Sequence, residues 1–252
     1  VLAAWLVASD TELPALSARF WTMGAIGGLA QILARVCVVA LFRERNFAVG
    51  ITFKKTEVVQ AALVGLIILG EGVSFLGLVA ILVGLTGVLL LSSAPEAKGS
   101  WKERLFTRAA GLGLASGLLF AISGVTYRAA TLEVGADAPL LCAAVTLSAV
   151  TLMQFGAMSL WLRVFEQGQI RAVWGARRKA LWIGLMSLGG SLGWFLAFTL
   201  QTAAYVKALG QIELIFSLMV SVLVFKERLS MREGIAIGFL SASVLLLILV
   251  VR

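Results

Sequence analysis

The chain alternates long apolar blocks, roughly 16–25 residues each, with short polar connectors, and that alternation leaves few folds open. About 20 apolar residues in an α-helix cross the hydrocarbon of a bilayer. In lipid every backbone N–H and C=O must find a partner inside the protein, and single-segment helices provide one. The other solution, a closed β-barrel, needs segments of about 10 residues that alternate in character. These blocks are continuously apolar, so the sequence predicts an all-α integral membrane protein. Composition agrees, with 60% of residues hydrophobic and 13% charged, where soluble domains carry about 25% charged residues. The glycine content, 26 residues against 3 prolines, suits helices that approach closely in lipid.

The pattern predicts spans at residues 21–42, 56–69, 73–91, 108–132, 139–165, 181–205, 209–225 and 235–251, with 1–8 as the end of another helix. Residues 92–108 form a polar connector and 166–179 a basic loop. The net charge of +8 does not point to nucleic acid. The Lys and Arg residues lie between the apolar blocks, as the positive-inside rule places them. Cys37 and Cys142 each lie inside an apolar block and read as small apolar residues. With no histidine, a His-based metal site or general base is excluded. No metal, cofactor or catalytic residue is expected.

An internal repeat organises the chain. Residues 57–91 lie on 213–247 without a gap: Glu57 meets Glu213, Glu71 meets Glu227 and Ser74 meets Ser230, all at a shift of 156. Matched glutamates carry the signal, because charges are scarce here. The second copy has two spans, 108–132 and most of 139–165, with no counterpart in the first. About fifty upstream residues would restore them, and the expected fold is a ten-helix inverted-repeat (5+5) bundle, of which about eight helices and part of another are present. The domain division that follows is residues 1–94, a first repeat lacking its first helix and most of its second; a connector, 95–107; and a complete second repeat, 108–252. An odd number of spans per copy makes the copies enter the membrane from opposite sides. Basic residues are reversed between equivalent loops: the turn 70–74 has none, whereas Lys226 and Arg228 lie in 226–230. Inverted repeats are a recurring transporter plan, with the substrate near the midplane. The basic bias places the loops around Arg43, Lys98–Arg108, Arg163–Lys179 and Lys226–Arg232 in the cytoplasm, and the C-terminus outside.

The turns Gly70-Glu71-Gly72-Val73-Ser74 and Lys226-Glu227-Arg228-Leu229-Ser230, each before a Gly-bearing apolar helix, together with Arg45–Gly50 and Lys55-Thr56-Glu57, resemble the EamA-like proteins of the drug/metabolite transporter superfamily. The resemblance implies a central cavity lined by the first, third and fourth helices of each half, and cargo such as amino acids, nucleobase-like metabolites, sugars or drugs, often moved outward. It also implies both termini in the cytoplasm, against the charge-based orientation. The absent first helix would line that cavity.

Polar residues within the apolar blocks are the site candidates, since ionisable groups at membrane depth usually face a bundle interior or a wet cavity. Gln31 and Arg35 lie one turn apart; they line a cavity and meet an anionic substrate group, or Arg35 pairs internally with Glu57. Glu57 with Gln60, and Gln211 with Glu213, open equivalent helices. They stabilise first turns, or they line the cavity and carry protons. Ser187, Ser191, Trp194, Phe198, Gln201 and Tyr205 share one predicted helical face, either packing or a ligand wall. Ser116, Phe120, Ser123 and Tyr127 share another, with Tyr127 and Arg128 near a helix end as possible interface anchors. The cavity candidates are Gln31, Arg35, Glu57, Gln60, Ser123, Tyr127, Trp194, Phe198, Gln201, Gln211 and Glu213. Glu71 and Glu227 read as structural caps.

The expected function is secondary transport, export above all, of an amino acid or related metabolite. The expected partners are a small-molecule substrate and the lipid bilayer, with protons as a coupling ion, no nucleic acid, and a monomer or homodimer in a bacterial inner membrane. A truncated, non-transporting membrane protein is one alternative. An integral membrane enzyme on a lipid-linked substrate is another, but no Walker loop or paired carboxylate motif supports it.

Overall fold

The computed structural model describes residues 15–44, 47–92, 107–166, 168–224, 226 and 230–251. The helix end expected at 1–8, most of the connector and Glu227 lie outside these residues. Every regular element among them is an α-helix: α1 Ala18–Leu41, α2 Phe47–Lys54, α3 Glu57–Leu69, α4 Phe75–Ser92, α5 Arg108–Glu133, α6 Pro139–Phe165, α7 Gln169–Gly175, α8 Arg177–Leu200, α9 Ala203–Gly210, α10 Glu213–Val224 and α11 Met231–Val251.

Among the described residues, six stretches are long and apolar enough to span a bilayer: Ala18–Leu41, Arg108–Glu133, Pro139–Phe165, Ala180–Leu200, Ala203–Val224 and Met231–Val250. Large apolar side chains stand exposed along them, Trp182 and Leu223 among others, as lipid-facing surfaces require. The chain is a multi-pass helical membrane protein. α3, at 13 residues, is too short to cross ~30 Å of hydrocarbon at ~1.5 Å per residue.

The helices form two compact units, each described by itself. The first joins residues 1–32 to 126–201. Its core is Phe20, Ala130, Val134, Leu141, Cys142, Val145 and Ala149. Ser17 caps α1 by accepting the Phe20 N–H at 3.0 Å, and its hydroxyl donates to Glu133 at 2.8 Å.

The second unit joins residues 33–125 to 202–252, with a core of Val58, Ala80, Ile81, Ala204, Ala208 and Leu247. Its long seam is α4 against α11. There Ser243 lies against Gly84 and donates to the Ala80 carbonyl at 2.7 Å. α5 presents Ala109, Gly113 and Gly117 to α2 and the start of α3. Small residues at these positions allow backbone-to-backbone approach, the packing that helices in lipid rely on.

The repeat recurs in element boundaries. α2, α3 and α4 begin at 47, 57 and 75; α9, α10 and α11 begin at 203, 213 and 231, the same shift of 156 each time. One backbone position after α3 and α10 corresponds too. Gly70 closes α3 in the left-handed region at φ 68°, with the Glu71 N–H returning to the Gly65 carbonyl. At the equivalent place Lys226 has φ 55°. A side chain there is strained, whereas glycine is not. Lys226→Gly should therefore stabilise the protein by about 1 kcal/mol, read as a raised thermal midpoint in detergent. A lowered midpoint would refute the strain.

The structure revises three boundaries. Part of the expected basic loop at 166–179 is helical, as α7 and the start of α8. Residues 47–54, expected between spans, form α2. The face expected to run from Ser187 to Tyr205 is interrupted, because α8 stops at Leu200 and Gln201 is extended, at φ −145° and ψ 159°.

Candidate functional site

In the second unit, the polar residues gather where two apolar helices are interrupted at equivalent positions. Between α2 and α3, the Thr56 N–H bonds to the Phe53 carbonyl. Between α9 and α10, the N–H groups of Gln211 and Ile212 bond to Ala208 and Leu209. Both interruptions are thus tight turns with bonds to the third residue back. Such turns within a helix often mark a hinge or a strained segment. They keep backbone groups satisfied across each interruption.

Each copy's first-turn glutamate pairs with a lysine of the other copy. Lys55 Nζ lies 3.6 Å from Glu213, and Lys207 Nζ lies 3.8 Å from Glu57. The second pair is enclosed, with side-chain exposures of 11% and 14%, whereas Glu213 is 62% exposed. The Phe120 ring on α5 takes the ammonium groups of Lys54 and Lys207 at 4.9 and 5.5 Å from its centroid. A cation over an aromatic face at this range is attracted by the ring quadrupole. Gln60 donates to the Thr56 hydroxyl at 3.2 Å, while its carbonyl oxygen and that of Gln211 are buried without a partner. Lys55, Gln211 and Ser243 help line a cavity of about 10 Å³, room for about one water.

In the first unit, Tyr127 donates to the Gln31 carbonyl oxygen at 3.2 Å, and Gln154 donates to the same oxygen at 2.8 Å. The Tyr127 ring packs on Phe195 at 4.7 Å, and Trp194 on Phe198 at 5.8 Å. Arg128 donates to the Phe198 carbonyl at 2.8 Å. In an unbroken helix that carbonyl would take the N–H of residue 202. Arg128 therefore satisfies backbone that the interruption after Leu200 leaves open.

The structure places Glu57, Gln60, Gln211 and Glu213 at the two interruptions, Gln31 with Tyr127, and Trp194 with Phe198. Ser123 is buried on α5, and Gln201 forms the interruption after α8. Two expectations are corrected. Arg35 does not pair with Glu57; it is exposed, and Glu57 takes Lys207 instead. Tyr127 and Arg128 are not interface anchors: Tyr127 is 2% exposed, and Arg128 reaches the α8 backbone. Sequence reasoning missed Lys54, Lys207 and Gln154 as candidates. Gln154 had a usable signal, since it stands inside an apolar block, whereas Lys207 falls between the spans expected at 181–205 and 209–225.

No protein-family model matches the chain, and no curated protein matches it. Among solved structures the fold does recur. One, described as "Crystal structure of protein", superposes with a TM-score of 0.67 at 16% identity, over 98% of this chain and 83% of that chain. At that identity the likeness carries the fold alone.

Proposed function

We propose that the chain is a secondary active transporter of the EamA-like kind in the drug/metabolite transporter superfamily. In this reading it exports an amino acid or related metabolite across a bacterial inner membrane. One observation carries the reading. Two apolar helices are interrupted at positions 156 residues apart, and their glutamates exchange lysine partners between the copies. Interrupted helices in inverted repeats hold the substrate and coupling-ion sites of many transporters. Charged groups at membrane depth mark pathways or relays. Alternating access then follows from one half rocking against the other about the interrupted segments.

Reconstitution into proteoliposomes tests this. Vesicles loaded with unlabelled amino acids should accumulate labelled amino acid several-fold above protein-free vesicles, and an imposed pH gradient should change the rate. Absence of exchange for amino acids, nucleobases and sugar phosphates alike would sink the proposal.

A further inference from the structure

The cluster around the two interruptions does not balance its charges. It holds three ammonium groups, on Lys54, Lys55 and Lys207, and two carboxylates, on Glu57 and Glu213. Both carboxylates are engaged, with Lys207 and Lys55. Among the described residues Lys54 has no carboxylate within ion-pair reach. Its ammonium lies over the ring of Phe120, where Lys207 also lies. Two like charges at one ring oppose each other, and the apolar helices around them offer little screening. An isolated charge in such surroundings is costly until an opposite charge joins it.

We infer that this cationic cluster takes an oxyanion, a phosphate or carboxylate group, bound by Lys54 and Lys207 beside Phe120. Hydrogen bonds from ammonium to an oxyanion are short and strong. The buried carbonyl oxygen of Gln60 lies in the same neighbourhood, since a methyl placed on Gly117 would meet both it, at 2.8 Å, and the Lys54 carbonyl, at 3.1 Å. That oxygen is an acceptor in want of a donor, so the fitting ligand carries a hydroxyl or N–H beside its oxyanion. The inference names the substrate class of the proposed transporter and so rests on that reading for its purpose; the binding site itself is tested without transport.

The same chemistry arises from a soluble metabolite or from a lipid headgroup, and the test separates them. The full chain in phosphatidylcholine nanodiscs is titrated with radiolabelled inorganic phosphate. A second preparation contains phosphatidic acid, with retained lipid counted by mass spectrometry after delipidation. Saturable phosphate binding in the first arm assigns the site to a soluble anion. Selective retention of phosphatidic acid without phosphate binding assigns it to a headgroup. In either arm Lys54→Gln should weaken binding at least tenfold, and Arg171→Gln, on exposed α7, should leave it unchanged. Lys207→Gln with Glu57→Gln removes the enclosed pair together, so a folded protein can report the second lysine; it too should weaken binding. Binding in neither arm, or undiminished binding by Lys54→Gln, overturns the inference. Phosphate binding by a protein that exchanges nothing in proteoliposomes would overturn transport and leave the site standing.

Discussion

Lys207→Met should destabilise the protein by about 3–5 kcal/mol, the loss expected when one partner of a buried ion pair is removed. The substitution keeps an unbranched side chain, one heavy atom shorter, and removes its charge. It leaves Glu57, at 14% exposure, inside an apolar setting without its counter-charge. The neighbouring pair supplies the control. Lys55→Met breaks a contact of nearly the same length, 3.6 Å against 3.8 Å. Its carboxylate, on Glu213, is 62% exposed, so that loss should stay near 1 kcal/mol or below. Adding Glu57→Gln to Lys207→Met should recover most of the stability, because the stranded charge is gone. Unfolding in mixed micelles measures all three variants against the parent protein. If Lys207→Met were no worse than Lys55→Met, enclosure would not be what makes the pair matter.

Gly113→Val should be the most damaging glycine substitution on α5, with a loss of about 3 kcal/mol. A Cβ on Gly113 would land on the carbonyl oxygen of Gly50 in α2 and lie 2.9 Å from its Cα. Both are backbone atoms, so no flexible side chain can retreat. α2 would have to move, carrying Lys54 away from Phe120. The variant should therefore lose oxyanion binding as well as stability. Gly111→Val is the companion: nothing lies within 4 Å of its Cβ. It should be neutral or slightly stabilising, since valine is the better helix former. Equal losses for the two would show that α2 and α5 are not in backbone contact. Thermal stability in detergent and the phosphate titration read both effects.

Much of the fold was legible. α6 spans 139–165 as expected, because a long apolar block with Pro139 at its first turn states its own start. The shift of 156 found from scarce glutamates reappears in three helix starts. Short elements were less legible. α2 and α7 have 8 and 7 residues, too few turns to establish a period. The interruption after Leu200 has no glycine or proline to announce it. Its backbone is satisfied by Arg128, about seventy residues earlier, and no local pattern carries that information.

The sequence by itself determined that the chain is a membrane-spanning helical protein and that residues 57–91 and 213–247 share the spacing of their glutamates. Both follow from local quantities: the length and continuity of apolar blocks, and the spacing of rare charges. The tertiary structure alone decided which polar residues meet. Arg35 was a plausible partner for Glu57 because both stand in apolar segments of one copy, yet Lys207, about 150 residues further on, takes the place. Gln154 joins Gln31 and Tyr127 for the same kind of reason. Hydropathy places a residue within the membrane. Which neighbour it meets there depends on where each helix turns and how closely glycine lets two backbones approach.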